Sequence, residues 1–285
     1  MAEISALMVK DLRDKTGAGM ADCKKALVDA EGDMTLAIEI LRKKGAASAA
    51  KRADKSANEG MIIAQTSPDG KVAAVIEINC ETDFVARNAE FVNYVTTVAD
   101  AYLANPVNNA EELYKLSHNG VSLENLHNEI LAKFSEKIEA RRLDRWTTDG
   151  SVTAYIHAGN KLAVLIDITA ANLNDEAQHL VRDIAMQIAA MNPQFINREQ
   201  VDTTTLSKEI EIYKQQAIDQ GKKEEIAERI AQGRLEKFFT ESCLIEQAFV
   251  KDGNMTVSDV LKKVSEITGT DVKVNRFLRY ALGES

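Results

Sequence analysis

The chain has 285 residues, 45% of them hydrophobic and 28% charged, which fits a folded protein of about two domains and excludes a disordered or fibrous chain. Its formal net charge of −9 repels phosphate backbones and anionic lipid, so neither direct nucleic-acid binding nor a membrane is expected. Apolar runs such as 72–76 and 162–166 fall far short of the roughly 18 residues that cross a bilayer. The first twelve residues carry no continuous apolar core and no cleavage site, which makes the cytoplasm the expected compartment. Cys23, Cys80 and Cys243 are far apart with no Cys-x-x-Cys, the pattern of reduced, packing thiols.

Only three prolines occur, so long helices are permitted. Ile4, Leu7, Met8 and Leu12 recur at helical spacing, as do Met20, Cys23, Ala26 and Leu27, and then Leu36, Ile38, Ile40 and Leu41. Gly17 and Gly19 suit a left-handed turn between the first two helices, Asp33 suits the N-cap of the third, and Gly45 suits its end. A three-helix bundle over 1–45 is predicted. The small, cationic stretch 46–60 reads as a linker or helical extension.

Segments 61–65 and 71–79 are strand-like and flank Ser67-Pro68-Asp69-Gly70, a strong turn sequence, and a helix carrying Phe91, Val95 and Val98 follows. The same order returns roughly ninety residues later, with strands at 152–156 and 162–168 and a helix carrying Val181, Ile184 and Ile188. Residues 71–78 and 161–168 correspond almost position for position. The chain is therefore expected to be α+β, with a duplicated hairpin-and-helix core divided into 61–143 and 144–285 and a charged helical link over 111–142. Within the second half, Leu206, Ile210, Tyr213 and Ala217 form one stripe, and Ile226, Ile230, Leu235 and Phe238 a return stripe. An antiparallel helical hairpin over 200–239, with a polar, lysine-bearing tip, is predicted, and a further strand, helix and strand follow it.

Motifs for chemistry are lacking. The four histidines do not pair at ligand spacing, so no metal is expected. The sequence has no third glycine after Gly17-Ala18-Gly19, no Gly-Lys-Ser/Thr loop and no Gly-x-Ser-x-Gly, so no cofactor and no enzymatic activity are expected. What stands out is Asn79-Cys80-Glu81-Thr82-Asp83-Phe84-Val85, where an apolar strand runs into a polar turn bearing an aromatic residue. Two readings stay open: Asp83 or Asn88 caps the next helix while Phe84 staples it to the core, or Phe84 projects as an anchor for a partner.

The run from Leu12 to Leu27 (LRDKTGAGMADCKKAL), the run from Asn79 to Ala86 (NCETDFVA) and Tyr155-Ile156-His157 resemble the bacterial translation elongation factor Ts family over nearly the whole chain. The resemblance implies a ubiquitin-associated-like N-terminal bundle, a duplicated core with a protruding coiled coil, and guanine-nucleotide exchange on the GTPase elongation factor Tu. It further implies that Thr82, Asp83, Phe84 and Val85 enter that GTPase and dislodge its Mg²⁺, that Arg13 and Met20 grip one of its helices, and that the region of His157 joins the contact. Position 21 is alanine where relatives carry a second methionine, so a slightly weaker grip is expected. Some members continue into a C-terminal helix, a contact expected to be missing after Leu282-Gly283-Glu284-Ser285. The competing readings are a scaffold whose bundle binds peptides and whose core forms a homodimer through the coiled coil, and an acid–base enzyme using Glu77 and Asp83.

Overall fold

The computed structural model describes residues 4–52 and 54–284. Helix α1 (Ala6–Thr16) begins at the N-cap Ser5 and stops where Gly17 takes a left-handed φ of 67°. Gly19 does not share that turn: with φ −60° it is the extended N-cap of α2 (Met20–Asp29). Helix α3 (Met34–Lys51) opens at Asp33, whose carboxylate accepts the Leu36 N–H at 3.0 Å. The three helices close on a core of their own around Leu12, Cys23, Leu27 and Leu41. Leu7 and Leu36, expected on the buried stripes, point outward instead, and Val9 and Ala37 are buried.

The body begins with the hairpin β1 (Glu59–Thr66) and β2 (Val72–Cys80), followed by α4 (Asp83–Ala86) and α5 (Ala89–Ala104). Helix α6 (Ala110–Tyr114), the short pair β3 (Ser117–His118) and β4 (Val121–Ser122), α7 (Leu123–Phe134) and β5 (Glu139–Thr147) complete the first half. The second half starts with β6 (Ser151–Ile156), β7 (Leu162–Ile168) and α8 (Asp175–Met191). Then come the helical pair α9 (Thr203–Asp219) and α10 (Glu224–Ser242), the short pair β8 (Ala248–Phe249) and β9 (Asp252–Thr256), α11 (Val257–Thr268) and β10 (Val274–Ala281). Two antiparallel three-stranded sheets result, in the orders β1-β2-β5 and β10-β7-β6. In each, the hairpin's second strand is central and a third strand returns beside it after the helices.

Three sequence expectations need correction. Gly45 does not end α3, which runs on to Lys51 into the expected linker; a Cβ at 45 would lie 2.7 Å from the Ala132 backbone nitrogen, so the glycine lets α3 pack closely on α7. Residues 111–142 are not one helical link but contain α6, the β3–β4 pair, α7 and the start of β5. The division expected at 143/144 falls inside β5, which pairs along β2 from Val72 to Asn79. Its charged sequence, EARRLDRWT, lacks the apolar alternation of an ordinary half-buried strand: Arg141 and Arg142 pair with the buried Glu77, Arg145 donates to Leu103 O, and Asp144 accepts from the Tyr280 hydroxyl.

Period-two alternation places the two sheets face to face. Ile62, Ala64, Ala73 and Val75 of the first meet Val152, Ala163, Leu165 and Tyr280 of the second. The opposite face of the first sheet packs on α5 and α7, that of the second on α8 and α11, giving helix, sheet, sheet, helix layers. The hairpin α9–α10 buries Ala217, Ala227 and Ala231 along its seam, with Val201, Phe239 and Cys243 at its base. Ile226, expected on that stripe, is 49% exposed, its place in the seam taken by Ala227.

Two buried carboxylates cross-link the sheets in matching fashion. Glu77 on β2 accepts from Arg142 Nε at 2.6 Å, and Arg142 Nη2 donates to Ala281 O at 2.7 Å while its guanidinium lies 4.0 Å above the Tyr280 ring. Asp167, at the corresponding place on β7, accepts from Arg276 Nε at 3.0 Å. Arg276 Nη2 donates to Thr147 O at 2.8 Å, and its guanidinium lies 4.3 Å above Trp146. Each sheet thus supplies an acid–arginine pair whose arginine reaches across to the other sheet's third strand.

A histidine in the first half gives the fold a pH dependence. On α7, the His127 ring shares a 2.7 Å hydrogen bond between Nδ1 and the Tyr94 hydroxyl, and stacks 4.2 Å from the Tyr114 ring. Burial pushes its pKa from 6.5 down to about 4. The depressed value means that the unfolded chain takes up the proton first, so stability is complete above pH 6.5 and is lost as pH falls towards 4. At about 1.4 kcal/mol per pKa unit, urea unfolding should show a loss of about 3 kcal/mol over that window, flattened in His127→Gln. A pH-independent stability from 6.5 to 4 would sink this expectation.

Candidate partner-binding site

Strand β2 ends at the buried Cys80, whose thiol lies 3.2 Å from the Thr82 carbonyl oxygen. The chain then turns out of the sheet with Thr82 as N-cap of α4, its hydroxyl oxygen accepting the Val85 N–H at 3.4 Å. Asn88, not Asp83, caps α5, accepting the Glu90 N–H at 2.9 Å. Val85 is buried in the first core, whereas Phe84 is 84% exposed, more than any other large apolar side chain among the described residues. The structure excludes Phe84 as the staple of this turn: Val85 anchors the turn to the core, and Phe84 projects. An exposed phenylalanine forgoes about 1.5–3 kcal/mol that burial would contribute, so folding alone gives no reason for it. Beside it, Asp83 forms an exposed ion pair with Arg87 at 3.1 Å.

The turn is held from two sides. Glu136, just after α7, accepts the Glu81 and Thr82 N–H groups at 3.1 Å each and the Thr82 hydroxyl at 2.7 Å. Glu81 in turn accepts the Lys137 N–H at 2.7 Å and both Nε and Nη2 of Arg52 at 2.7 Å. The Arg52 guanidinium, with help from the Lys137 N–H, holds the Glu81 carboxyl down at about 2. Arg52, Glu136 and Lys137 were not singled out from the sequence.

Residues 81–284 match the family described as Elongation factor TS. The elongation factor Ts of Chloroherpeton thalassium is 47% identical over 289 residues, covering 100% of both chains. Those of Clostridium kluyveri and Clostridium botulinum are 43% and 42% identical over 285 residues, covering 99% of this chain and 93% of theirs. The chain belongs to the elongation factor Ts family. It is thus a translation elongation factor, as the runs around Met20 and Phe84 implied.

The other residues that the elongation factor Ts resemblance singles out lie on two further surfaces. Arg13, near the end of α1, and Met20, which opens α2 and is 46% exposed, flank the loop at 17–19. That loop lies against α7: a Cβ on Gly17 would sit 2.7 Å from Lys133, which pairs with Glu90 in the first turn of α5. His157 is exposed on the β6–β7 turn, its Nδ1 2.9 Å from the Tyr155 hydroxyl and its N–H donating to Leu162 O. That turn is joined to β1 by Asn160 O, which accepts the Ile62 N–H, and by the Lys161–Glu59 ion pair at 2.8 Å. Glu59 is the register partner of Cys80, so His157 and the Phe84 turn share one end of the two-sheet core.

Among the described residues, no cluster of three His, Cys, Asp or Glu side chains is placed to hold a metal ion, and no helix is long and apolar enough to cross a membrane. Glu77 and Asp83 do not form an acid–base pair. Glu77 is buried in the inter-sheet seam, and Asp83 is on the outer turn paired with Arg87.

Proposed function

We propose that the protein is a guanine-nucleotide exchange factor that binds elongation factor Tu in its GDP form and promotes GDP release. The observation that carries this reading is Phe84, exposed on a one-turn helix whose neighbour Val85 is buried and whose cap Thr82 is hydrogen-bonded to Glu136. The family membership supplies the partner. In the GTPase, Mg²⁺ and phosphate-cradling backbone N–H groups hold GDP, and release is slow until one of them is disturbed. In this reading Phe84 wedges between partner helices and shifts the elements that position the metal. Val85 and Thr82 keep the wedge seated, and Asp83 exchanges Arg87 for a hydrogen bond to the displaced backbone.

The effect is one of differential binding: the factor accelerates release because it binds the nucleotide-free partner better than the GDP-bound one. Arg13 and Met20 provide a second grip through the bundle, and the β6–β7 turn with His157 a third. The same reading takes the three N-terminal helices as the ubiquitin-associated-like unit, α9–α10 as the protruding coiled coil, and the cytoplasm as the place of action. Release of a fluorescent GDP from purified elongation factor Tu, followed with and without the protein, tests it. Acceleration at catalytic amounts is expected; an unchanged release rate over a wide range of factor concentration removes the exchange reading.

A further inference from the structure

We propose that Glu136, together with the Glu81–Arg52 pair, is the positioning device of the Phe84 wedge; this rests on the exchange reading above and adds residues to it. Helix α4 is four residues long, and a single turn fixes several backbone angles for very few hydrogen bonds. Such a segment does not hold its shape unaided. The structure supplies the missing restraint from outside the segment, through two acids that reach across each other. The carboxylate of Glu136 takes up both N–H groups at 81 and 82 and the Thr82 hydroxyl, and the carboxylate of Glu81 takes up the N–H of Lys137.

The origin of each partner shows what is being coupled. Glu136 is aimed at the turn because Ser135, with a left-handed φ of 54°, ends α7 and redirects the chain. Arg52 stands just past the end of α3 and grips Glu81 with two nitrogens. The clasp therefore ties the exit of β2, the entry of β5 and the last helix of the N-terminal bundle to the residue preceding the α4 cap. Contact made through the bundle and contact made through Phe84 are then parts of one rigid unit, and less ordering is left to occur when the wedge docks. The clasp lies at the rim of the first core, apart from the strand ladder that secures the sheet.

Glu136→Gln removes the charge and one of the two acceptor oxygens: whichever way the amide turns, its NH2 group faces either the Glu81 and Thr82 N–H donors or the Thr82 hydroxyl, which already accepts the Val85 N–H. Two measurements on the full-length protein test the role. Hydrogen exchange of the free protein should quicken about tenfold or more for the amides of 81–86 while the central β2 amides keep their protection. Stopped-flow release of fluorescent GDP from elongation factor Tu should be accelerated about tenfold less well by Glu136→Gln than by the unsubstituted protein. In a Phe84→Ala background the same change should cost less than about twofold, since a group that acts through the wedge has nothing left to position. Arg52→Gln, which leaves Glu136 in place, should show the same dependence on Phe84 with a smaller effect.

Equal losses in both backgrounds would mean that Glu136 acts through overall stability or a contact of its own, and would overturn the proposal. So would unaltered amide exchange at 81–86, or full exchange activity in both variants. No acceleration by the unsubstituted protein would remove the exchange reading and this role with it, an outcome distinct from activity that survives Glu136→Gln.

Discussion

Replacing Arg142 with methionine is expected to destabilise the protein by about 3–5 kcal/mol, read as a shift in urea unfolding at constant slope. Glu77 is fully buried, and Arg142 Nε at 2.6 Å is its closest partner. Without it the carboxylate keeps Arg141 at 3.3 Å, the Asn79 amide at 3.1 Å and the Gly283 N–H at 3.4 Å, all longer contacts. The arginine also gives up its bond to Ala281 O and its stacking on Tyr280, which are links between the two sheets. The matching Arg276→Met should cost less. Asp167 retains the Thr148 hydroxyl at 2.7 Å and the Asn275 amide at 3.1 Å, and the Arg276 side chain is already 44% exposed. Combining Arg142→Met with Glu77→Gln should recover much of the loss, because a buried pair costs little when both charges leave and a great deal when only one does. A loss below about 1 kcal/mol for Arg142→Met alone would show that Arg141 suffices to neutralise Glu77.

This cross-link marks where sequence reasoning reached its limit. The correspondence of 71–78 with 161–168 places Glu77 opposite Asp167 in the duplication, and both hairpins and their covering helices follow from apolar periodicity. Arg142 does not, because β5 has too few apolar residues to show a period of two and resembles a charged helical face, and Arg276, although on the last strand, meets Asp167 only through the pairing of β10 with β7. The same limit applies at the candidate site. The distinctive run at 79–86 is contiguous and visible, but the groups that brace it come from Arg52 and Glu136, brought together only by the packing of α3 and α7. Arg52 lies in an alanine- and lysine-rich stretch that has the composition of a linker. Even Phe84 was ambiguous, since a staple and a projecting anchor call for the same residue type at the same spacing. Only the burial of Val85 in its stead separates them.

Phe84→Ala is expected to slow factor-stimulated release of GDP from elongation factor Tu by about ten- to a hundredfold and to leave the unfolding midpoint unchanged. The magnitude follows from one buried phenylalanine, about 1.5–3 kcal/mol, at about 1.4 kcal/mol per decade. The separation from stability follows from the 84% exposure of the ring: its removal takes no contact of consequence from the fold. Val85→Ala provides the opposite control, because that side chain is 6% exposed within the core cluster and its truncation should lower the midpoint. If both substitutions lower exchange but only Val85→Ala lowers stability, the two neighbouring residues have distinct parts, one docking into the partner and the other holding the turn. If Phe84→Ala exchanges GDP at the unsubstituted rate, the ring is not the wedge. The acceleration must then arise from the other surfaces, around Arg13, Met20 and His157.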